Sequence, residues 1–158
     1  AGKVWTKAPY PLLILPNANL SYLVQPESYT NMNAMEFIND EYASWDITYF
    51  MNGALLNRIP LIKKLKWREV FSFRGMFGHL TDKNNPFKSN NPDLFRFPTR
   101  DGKFTSFVMD PKVPYIEGSV GIYNIFKLLH VEYVHRFTYR DNPGINKNGI
   151  RFMVLMVF

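Results

Sequence analysis

Apolar and polar residues alternate along much of the chain with a period of two. The pattern is clearest in Glu41–Gly53, where apolar or aromatic residues occupy every second position from Ala43 to Met51. Mostly polar residues lie between them, with Phe50 as the exception. Such alternation is typical of a β-strand with one apolar and one polar face. This segment is also longer than the roughly five or six residues that are usual for strands in soluble proteins.

Five further segments show the same alternation, so the sequence predicts six strands. Long, polar connections are expected at Pro26–Asp40 and Thr81–Val113. Short connections are expected at Ala54–Lys63 and near Phe126–Leu129. Short connections join antiparallel neighbours, and the pattern therefore predicts an all-β, antiparallel up-and-down sheet of about six strands. The other five predicted strands are Asn19–Gln25, Lys64–Leu80, Tyr115–Ile125, Val131–Arg140 and Ile150–Phe158.

The composition indicates a folded chain and excludes several classes of protein. Of the 158 residues, 46% are hydrophobic and 16% are aromatic, which is enough to form a core. There is no cysteine, which excludes a disulfide framework, a thiolate metal site and a cysteine nucleophile. No apolar run reaches the roughly 18 residues of a transmembrane helix, and the mean hydropathy is −0.21. The net charge of +6 comes from basic residues scattered along the chain, which is a weak indication of nucleic acid or anionic lipid.

The last predicted strand, Ile150–Phe158, has an apolar residue at every second position and ends on an aromatic side chain. Its length is close to the roughly nine residues that a tilted strand needs to cross a bilayer. The strand resembles the closing strand of a bacterial outer-membrane β-barrel, in which this pattern is read by the barrel-insertion machinery. The alternative is a buried last strand of a soluble β protein. The residues of the expected C-terminal barrel signal are Phe152, Val154, Met156 and Phe158.

The two faces of the predicted strands carry different side chains. In a transmembrane barrel the polar face lines the lumen, and the apolar face contacts lipid between two girdles of aromatic residues. The candidates for lumen-facing polar residues are Asp46, Arg68, Arg74, Glu117, Glu132, Arg136 and Arg140. The candidates for lipid-facing or girdle aromatics are Trp45, Tyr49, Trp67, Phe71, Phe73, Tyr133, Phe137 and Tyr139.

The sequence contains no recognisable catalytic or cofactor-binding constellation. His130 and His135 are an odd number of residues apart, so they point to opposite faces of one strand and cannot share a metal ion. There is no nucleophile-elbow motif and no phosphate-binding glycine loop. We therefore expect a protein that is not an enzyme and has no cofactor and no metal site. Nucleic acid is not expected as a partner, because the aromatic and basic residues segregate to opposite faces.

Four stretches, which are distributed along nearly the whole chain, carry a family resemblance. They are PYPLLILPNANLSY, MNAMEFINDEYASWDITYFMNG, NRIPLIKKLKWREV and PYIEGSVGIYNIFKLLHVEYVHRFTYRDNPG, the last followed by GIRF. They resemble a family of large Bacteroidota outer-membrane proteins. Those proteins carry a carboxypeptidase-regulatory-like β domain near the N-terminus and end in a barrel similar to that of the BamA/TamA surface-antigen superfamily. The resemblance implies that Pro26–Asp40 matches the lumen-entering loop of that barrel, although the Val-Arg-Gly-Tyr/Phe motif of the loop is absent here.

The resemblance and the two-faced strands together predict a protein of the bacterial outer membrane. Residues 1–158 are expected to be the C-terminal part of an outer-membrane β-barrel domain, a fragment of a longer chain, because about eight strands are the usual minimum for closure. The expected partners are outer-membrane lipid, the barrel-insertion machinery and other outer-membrane subunits. The expected function is non-enzymatic, in transport or outer-membrane biogenesis. The alternatives are a structural or receptor-like outer-membrane scaffold and a soluble β-sandwich that binds a ligand.

Overall fold

The computed structural model describes residues 1–8, 13–18, 28–89, 94 and 96–154. Within these residues the fold is mostly antiparallel β, which confirms the all-β prediction. The helical elements are a short 3-10 helix at Leu56–Arg58 and the helix α1 at Pro60–Leu65. The strands are β1 (Gly2–Lys3), β2 (Glu41–Phe50), β3 (Arg68–His79), β4 (Thr99–Arg100), β5 (Lys103–Phe104), β6 (Tyr115–Ile125), β7 (Leu129–Arg136) and β8 (Asn148–Val154).

Six of the strands form one sheet in the order β1-β2-β3-β6-β7-β8, and every neighbouring pair is antiparallel. The registers align side chains in rows across the sheet. One row runs through Tyr49, Phe71, Val120, Tyr133 and Ile150. All five of these side chains are exposed. We call this side of the sheet the apolar face; it also carries Ile47, Phe73, Phe77, Phe137, Phe152 and Val154, which are exposed as well.

The segment Ser28–Asp40, which we call the covering segment, buries the other side of the sheet over β3, β6 and β7, whereas the side chains of β2 on this side are exposed from Asp46 onwards. Tyr29 and Phe37 of this segment pack against Tyr115 of β6, with ring centroids 5.2 Å and 5.9 Å apart in edge-to-face geometry. Met76 of β3 and Met109 complete the same buried cluster. Burial of each such side chain contributes about 1.5–3 kcal/mol, so this cluster holds the covering segment on the sheet.

The connection between β2 and β3 contains a tight turn and the helix α1. Gly53 has a φ of +85°, and a Cβ at this position would lie 2.2 Å from Asn57 Nδ2, so a larger residue would be strained here. Pro60 opens α1 at a position where its missing N–H costs nothing. The helix ends at Leu65, and the next residue, Lys66, caps it in the left-handed conformation with φ 55°.

Several predicted strand boundaries differ from the structure. Lys64–Leu80 was expected to be one strand, but its first two residues belong to α1 and β3 begins only at Arg68. Val131–Arg140 was expected to be a strand throughout, but β7 ends at Arg136. The backbone turns away soon afterwards, because Tyr139 has a positive φ of 52°. The predicted strand Asn19–Gln25 lies outside the described residues, and the sixth strand of the observed sheet is β1.

The described parts of the connection Thr81–Val113 contain a hairpin and buried apolar side chains, which its polar composition does not predict. The hairpin is β4–β5, in which Thr99 pairs with Phe104. Phe97 and Met109 are buried, and Phe97 packs in a second apolar cluster with Ile38 and Leu80. This connection therefore supplies part of the core at the end of the sheet where β3 terminates.

The sheet is open. β2 pairs with β1 only through Glu41 and Tyr42, so the edge of β2 beyond Tyr42 has no strand partner among the described residues. β8 pairs with β7 and, within the described part of the chain, forms the opposite edge. The antiparallel order of the strands therefore agrees with the all-β part of the expectation, and the described strands do not close into a barrel.

Candidate functional site on the buried face

Four ionisable side chains of alternating sign form a row across the buried side of the sheet. Asp46 of β2 lies opposite Arg74 of β3, Arg74 lies opposite Glu117 of β6, and Glu117 lies opposite Arg136 of β7. Directly opposed side chains in a sheet are close enough to interact, and opposite charges stabilise the pairing. We call this side of the sheet the charged face.

The pair formed by Arg136 and Glu36 ties the covering segment to the charged face. Arg136 Nη1 donates to Glu36 Oε2 at 2.9 Å and Nη2 donates to Oε1 at 2.6 Å. Both side chains are at most 1% exposed. Such a bidentate pair combines two charge-assisted hydrogen bonds in one fixed geometry. The segment is thereby held in one position along β7.

Glu117 and Arg74 bind the backbone at the start of the covering segment. Glu117 Oε1 accepts a hydrogen bond from the backbone N–H of Thr30 at 3.0 Å, and Oε2 accepts one from that of Asn31 at 3.2 Å. Arg74 forms an ion pair with Asp46 at 3.0 Å, and its Nη1 donates to the carbonyl of Ser28 at 3.1 Å. The charged row therefore binds the covering segment with both its acidic and its basic members.

A second group of buried polar side chains lies further along β7 and β8. Glu132 Oε1 is 2.7 Å from His130 Nε2, and Glu132 Oε2 is 3.8 Å from Arg151 Nη1. Ser119 Oγ donates to Glu132 Oε2 at 2.7 Å. The three ionisable residues of this group are almost fully buried. This arrangement partly neutralises Arg151 beneath the sheet surface.

Tyr29 lies where the covering segment meets β3, and its hydroxyl donates to the carbonyl of Gly75 at 3.1 Å. Burial raises the pKa of Tyr29 to about 12, and the nearby Glu117 carboxylate adds to the shift. A cavity of about 540 Å³ opens beside Tyr29, between residues 14–17 and β2, and Asp46 and Arg74 line it. The cavity is large enough for a small solute.

The structure brings together most of the residues that were expected to be lumen-facing. Arg68 and Arg140 are the exceptions: Arg68 is exposed at the start of β3, and Arg140 is exposed beyond the end of β7. The five residues on the charged face are Asp46, Arg74, Glu117, Glu132 and Arg136.

The expected aromatic residues mostly share the apolar face, with two exceptions. Tyr139 packs against Phe37 with ring centroids 5.0 Å apart, and its hydroxyl donates to the carbonyl of Val113 at 2.6 Å. Its expected outward position is therefore wrong, because the chain has already left β7. Trp67 is half-buried just before β3 begins. The other six, Trp45, Tyr49, Phe71, Phe73, Tyr133 and Phe137, lie on the apolar face.

The C-terminal pattern is described only in part. Phe152 and Val154 lie on β8 and are exposed on the apolar face. Met156 and Phe158 lie outside the described residues.

Two further ionisable residues, Arg151 on the charged face and Glu36 on the covering segment, are not among the candidates from the sequence. Arg151 follows from the alternation of β8, since it lies between the outward residues Ile150 and Phe152. Glu36 lies in a segment without helix or strand periodicity, so no pattern in the sequence points to it.

The arrangement is suited to holding a segment of chain against a sheet. Within the described ranges, no group of three or more His, Cys, Asp or Glu side chains is placed to hold a metal ion. None of the helices in the described part of the chain is long and apolar enough to span a membrane. Comparison of the chain with protein-family models, with curated proteins and with solved structures gives no match.

Proposed function

We propose that this chain forms part of a transmembrane β-barrel of a bacterial outer membrane and that it does not act as an enzyme. The observation that carries the proposal is the opposite chemistry of the two sides of one antiparallel sheet. The row from Tyr49 to Ile150 is apolar and exposed. The row from Asp46 to Arg136 is charged and lies on the side that the covering segment occupies. In a membrane barrel these sides contact lipid and lumen respectively.

The exposed apolar face needs a covering medium. Monomeric soluble proteins rarely expose apolar patches of more than a few hundred Å², and this face extends over five strands. A soluble β-sandwich would cover it with a second sheet. Among the described residues the other sheet is the two-residue pairing of β4 with β5, and the apolar face remains exposed. Lipid is therefore the covering medium that we propose.

The open edges of the sheet are part of the same proposal. In hydrocarbon an unpaired backbone group costs several kcal/mol, so strands exposed to lipid close into barrels. We propose that further strands pair with the free edges of β2 and β8 to complete the barrel. The barrel-insertion machinery and neighbouring outer-membrane subunits are the partners that this role implies.

We propose a role in transport or outer-membrane biogenesis, with the covering segment inside the barrel. A second candidate is a structural or receptor-like scaffold. It is favoured by the pairing of Glu36 with Arg136 and of Glu117 with the backbone of Thr30 and Asn31. These contacts occupy the charged face from Arg74 to Arg136 and leave a cavity open beside Asp46, whereas a passive channel would leave the whole face open to water.

Membrane fractionation tests the proposal. The chain is expressed with an outer-membrane signal peptide, the two membranes are separated, and samples are run on a gel with and without boiling. We expect the chain in the outer-membrane fraction, resistant to a urea wash, with a mobility that changes on boiling. A chain that stays soluble and monomeric without detergent would contradict the proposal, because its apolar face would then be covered by protein.

Conductance across a planar lipid bilayer separates the two candidate roles. Glu36→Gln weakens the attachment of the covering segment to Arg136. If the barrel conducts, this variant is expected to show larger or more frequent openings than the parent protein. Equal, negligible conductance of both proteins would favour the scaffold.

A further inference from the structure

Six basic residues gather at one end of the sheet, in the connections from β2 to β3 and from β6 to β7. The sequence alone suggests a scattered distribution of positive charge, and the fold brings these residues together. Neither connection contains an Asp or Glu between Met51 and Arg68 or between Ile122 and Leu129. We call the group the basic end; its members are Arg58, Lys63, Lys64, Lys66, Arg68 and Lys127.

The basic end accounts for the whole net charge of the chain. Removing its six members from the 19 Lys and Arg residues leaves 13, which equals the 13 Asp and Glu residues. All six side chains are exposed, and none has an acidic partner among the described residues. The nearest acid in sequence, Glu69, uses its carboxylate to accept hydrogen bonds from the backbone N–H groups of Leu55 and Leu56.

Hydrogen bonds join the two connections into one surface. Asn124 Nδ2 donates to the carbonyl of Lys66 at 2.8 Å. The hydroxyl of Tyr123 donates to Asn52 Oδ1 at 2.7 Å, and Arg68 Nη1 donates to the same oxygen at 3.2 Å. The connection from β2 to β3 is therefore held beside the end of β6, from which the chain continues into Phe126 and Lys127.

Apolar side chains project from the same end of the sheet. Leu61 is 78% exposed and Phe126 is 75% exposed. Leu65 lies one helical turn after Leu61 and is also exposed. Lys63 and Lys64 lie in the last turn of α1, where the helix dipole stabilises cations. This local effect accounts for only two of the six cations. Exposed apolar side chains among unpaired cations are the combination that binds the interface of an anionic bilayer.

We propose that the basic end binds the phosphate head groups of anionic phospholipids, with Leu61 and Phe126 entering the boundary of the acyl chains. This inference rests on the proposed function, because an apolar face within a bilayer brings the strand ends to the membrane–water interface. An RNA strand would also attract the cations. However, the exposed Leu61 and Leu65 are aliphatic and offer no stacking surface for a base, so lipid is the better fit.

Competition between two lipids tests the inference. The folded chain in neutral detergent is mixed with equal amounts of dimyristoyl phosphatidylglycerol and dimyristoyl phosphatidylcholine, and bound lipids are counted by native mass spectrometry. Two variants with the same change in net charge are compared with the parent. The test variant replaces Lys63, Lys64, Lys66 and Lys127 with Gln. The control variant replaces Lys7, Lys103, Lys112 and Lys147 with Gln, which are exposed and lie outside the basic end.

We expect the parent and the control to prefer phosphatidylglycerol by at least about tenfold, since each cation near an anionic surface adds attraction. The test variant is expected to lose most of that preference. Equal binding of both lipids by the parent, or an equal loss in both variants, would overturn the inference. So would binding of a short single-stranded RNA that depends on the same lysines, in a protein without lipid preference.

The boiling shift is measured on the same preparations to separate the two proposals. A chain that shifts on boiling but binds both lipids equally contradicts only the lipid inference. A chain that lacks the shift but keeps a lysine-dependent preference for phosphatidylglycerol contradicts only the barrel.

Discussion

Replacing Glu36 with Gln removes the buried carboxylate that neutralises Arg136. Arg136 is fully buried and makes hydrogen bonds to Glu36 Oε1 and Oε2 and to the carbonyls of Asn31, Thr138 and Tyr139. In the Glu36→Gln variant the guanidinium keeps its three carbonyl acceptors. It loses the carboxylate charge and faces an amide that can accept at only one atom.

Loss of one partner from a buried ion pair costs about 3–5 kcal/mol. Because Arg136 keeps its three carbonyl acceptors, we expect Glu36→Gln to lower the free energy of unfolding by about 3 kcal/mol, the lower end of this range. The double variant Glu36→Gln, Arg136→Met removes both charges. Its loss of unfolding free energy is expected to be smaller than the sum of the losses in the two single variants, by at least about 1 kcal/mol. Asp82→Asn is the control, because the Asp82–Lys88 pair is exposed and is worth below about 1 kcal/mol.

Urea unfolding in lipid vesicles, followed by tryptophan fluorescence, measures these free energies. Chymotrypsin provides a local measurement, since Tyr29 and Phe37 of the covering segment are cleavage sites that become accessible when the segment detaches. Cleavage of the Glu36→Gln variant is expected to be faster than that of the parent. If Glu36→Gln matches Asp82→Asn in both assays, the pair does not hold the segment and the reasoning fails.

Three further predictions concern the apolar face, a close strand contact and pH. Val120→Arg places a charge in the middle of the apolar face and is expected to lower the free energy of unfolding in lipid vesicles by about 2–4 kcal/mol. A decrease no larger than that caused by Thr105→Arg, outside the sheet, would contradict this prediction. Gly121→Ala brings a Cβ to 2.5 Å from the carbonyl oxygen of Val131 and is expected to cost about 1–3 kcal/mol by urea unfolding. At Gly118, on the same strand, the nearest atom to an added Cβ would be in the movable ring of Phe137, at 3.0 Å. An equal loss of stability in Gly118→Ala and Gly121→Ala would contradict the prediction. The pKa of Tyr29 is raised from 10.0 to about 12. The neutral phenol therefore contributes its full stabilisation below pH 10, and this contribution, roughly 3 kcal/mol at most, is lost as the pH rises towards 12. Tyr29→Phe should flatten this alkaline loss in a pH series of unfolding curves, and identical slopes for both proteins would refute the assignment.

The alternation of residues predicts which side chains share a face, because successive residues of a strand point to opposite sides. It therefore separates Phe73 from Arg74 and Val120 from Glu117 without knowledge of the register. The same rule places Arg151 on the charged face, between Ile150 and Phe152 on the apolar face. Glu69 breaks the rule: it falls on the apolar face by parity, yet its carboxylate accepts hydrogen bonds from the turn that precedes β3.

The contacts of the covering segment could not be predicted in the same way. Glu36 and Arg136 are a hundred residues apart in sequence, and the segment around Glu36 has no period that would give its direction. The end of α1 was missed for a different reason. Leu65 fits the apolar alternation of the following strand, but Pro60 begins a helix that includes it. The gathering of the basic end likewise depends on strand pairing, since Lys66 comes within hydrogen-bond reach of Asn124, three residues before Lys127, only when β3 lies beside β6.

The central claim is that one face of this sheet contacts lipid and the other faces a lumen. Spin labels at single introduced cysteines test it directly, and the chain has no native cysteine to interfere. Ile47, Thr48 and Tyr49 are consecutive and exposed on β2, with Thr48 on the charged side. In bilayers, labels at Ile47 and Tyr49 are predicted to be accessible to dissolved oxygen, and a label at Thr48 to a water-soluble nickel chelate. Equal accessibility of all three positions to the chelate would contradict the claim.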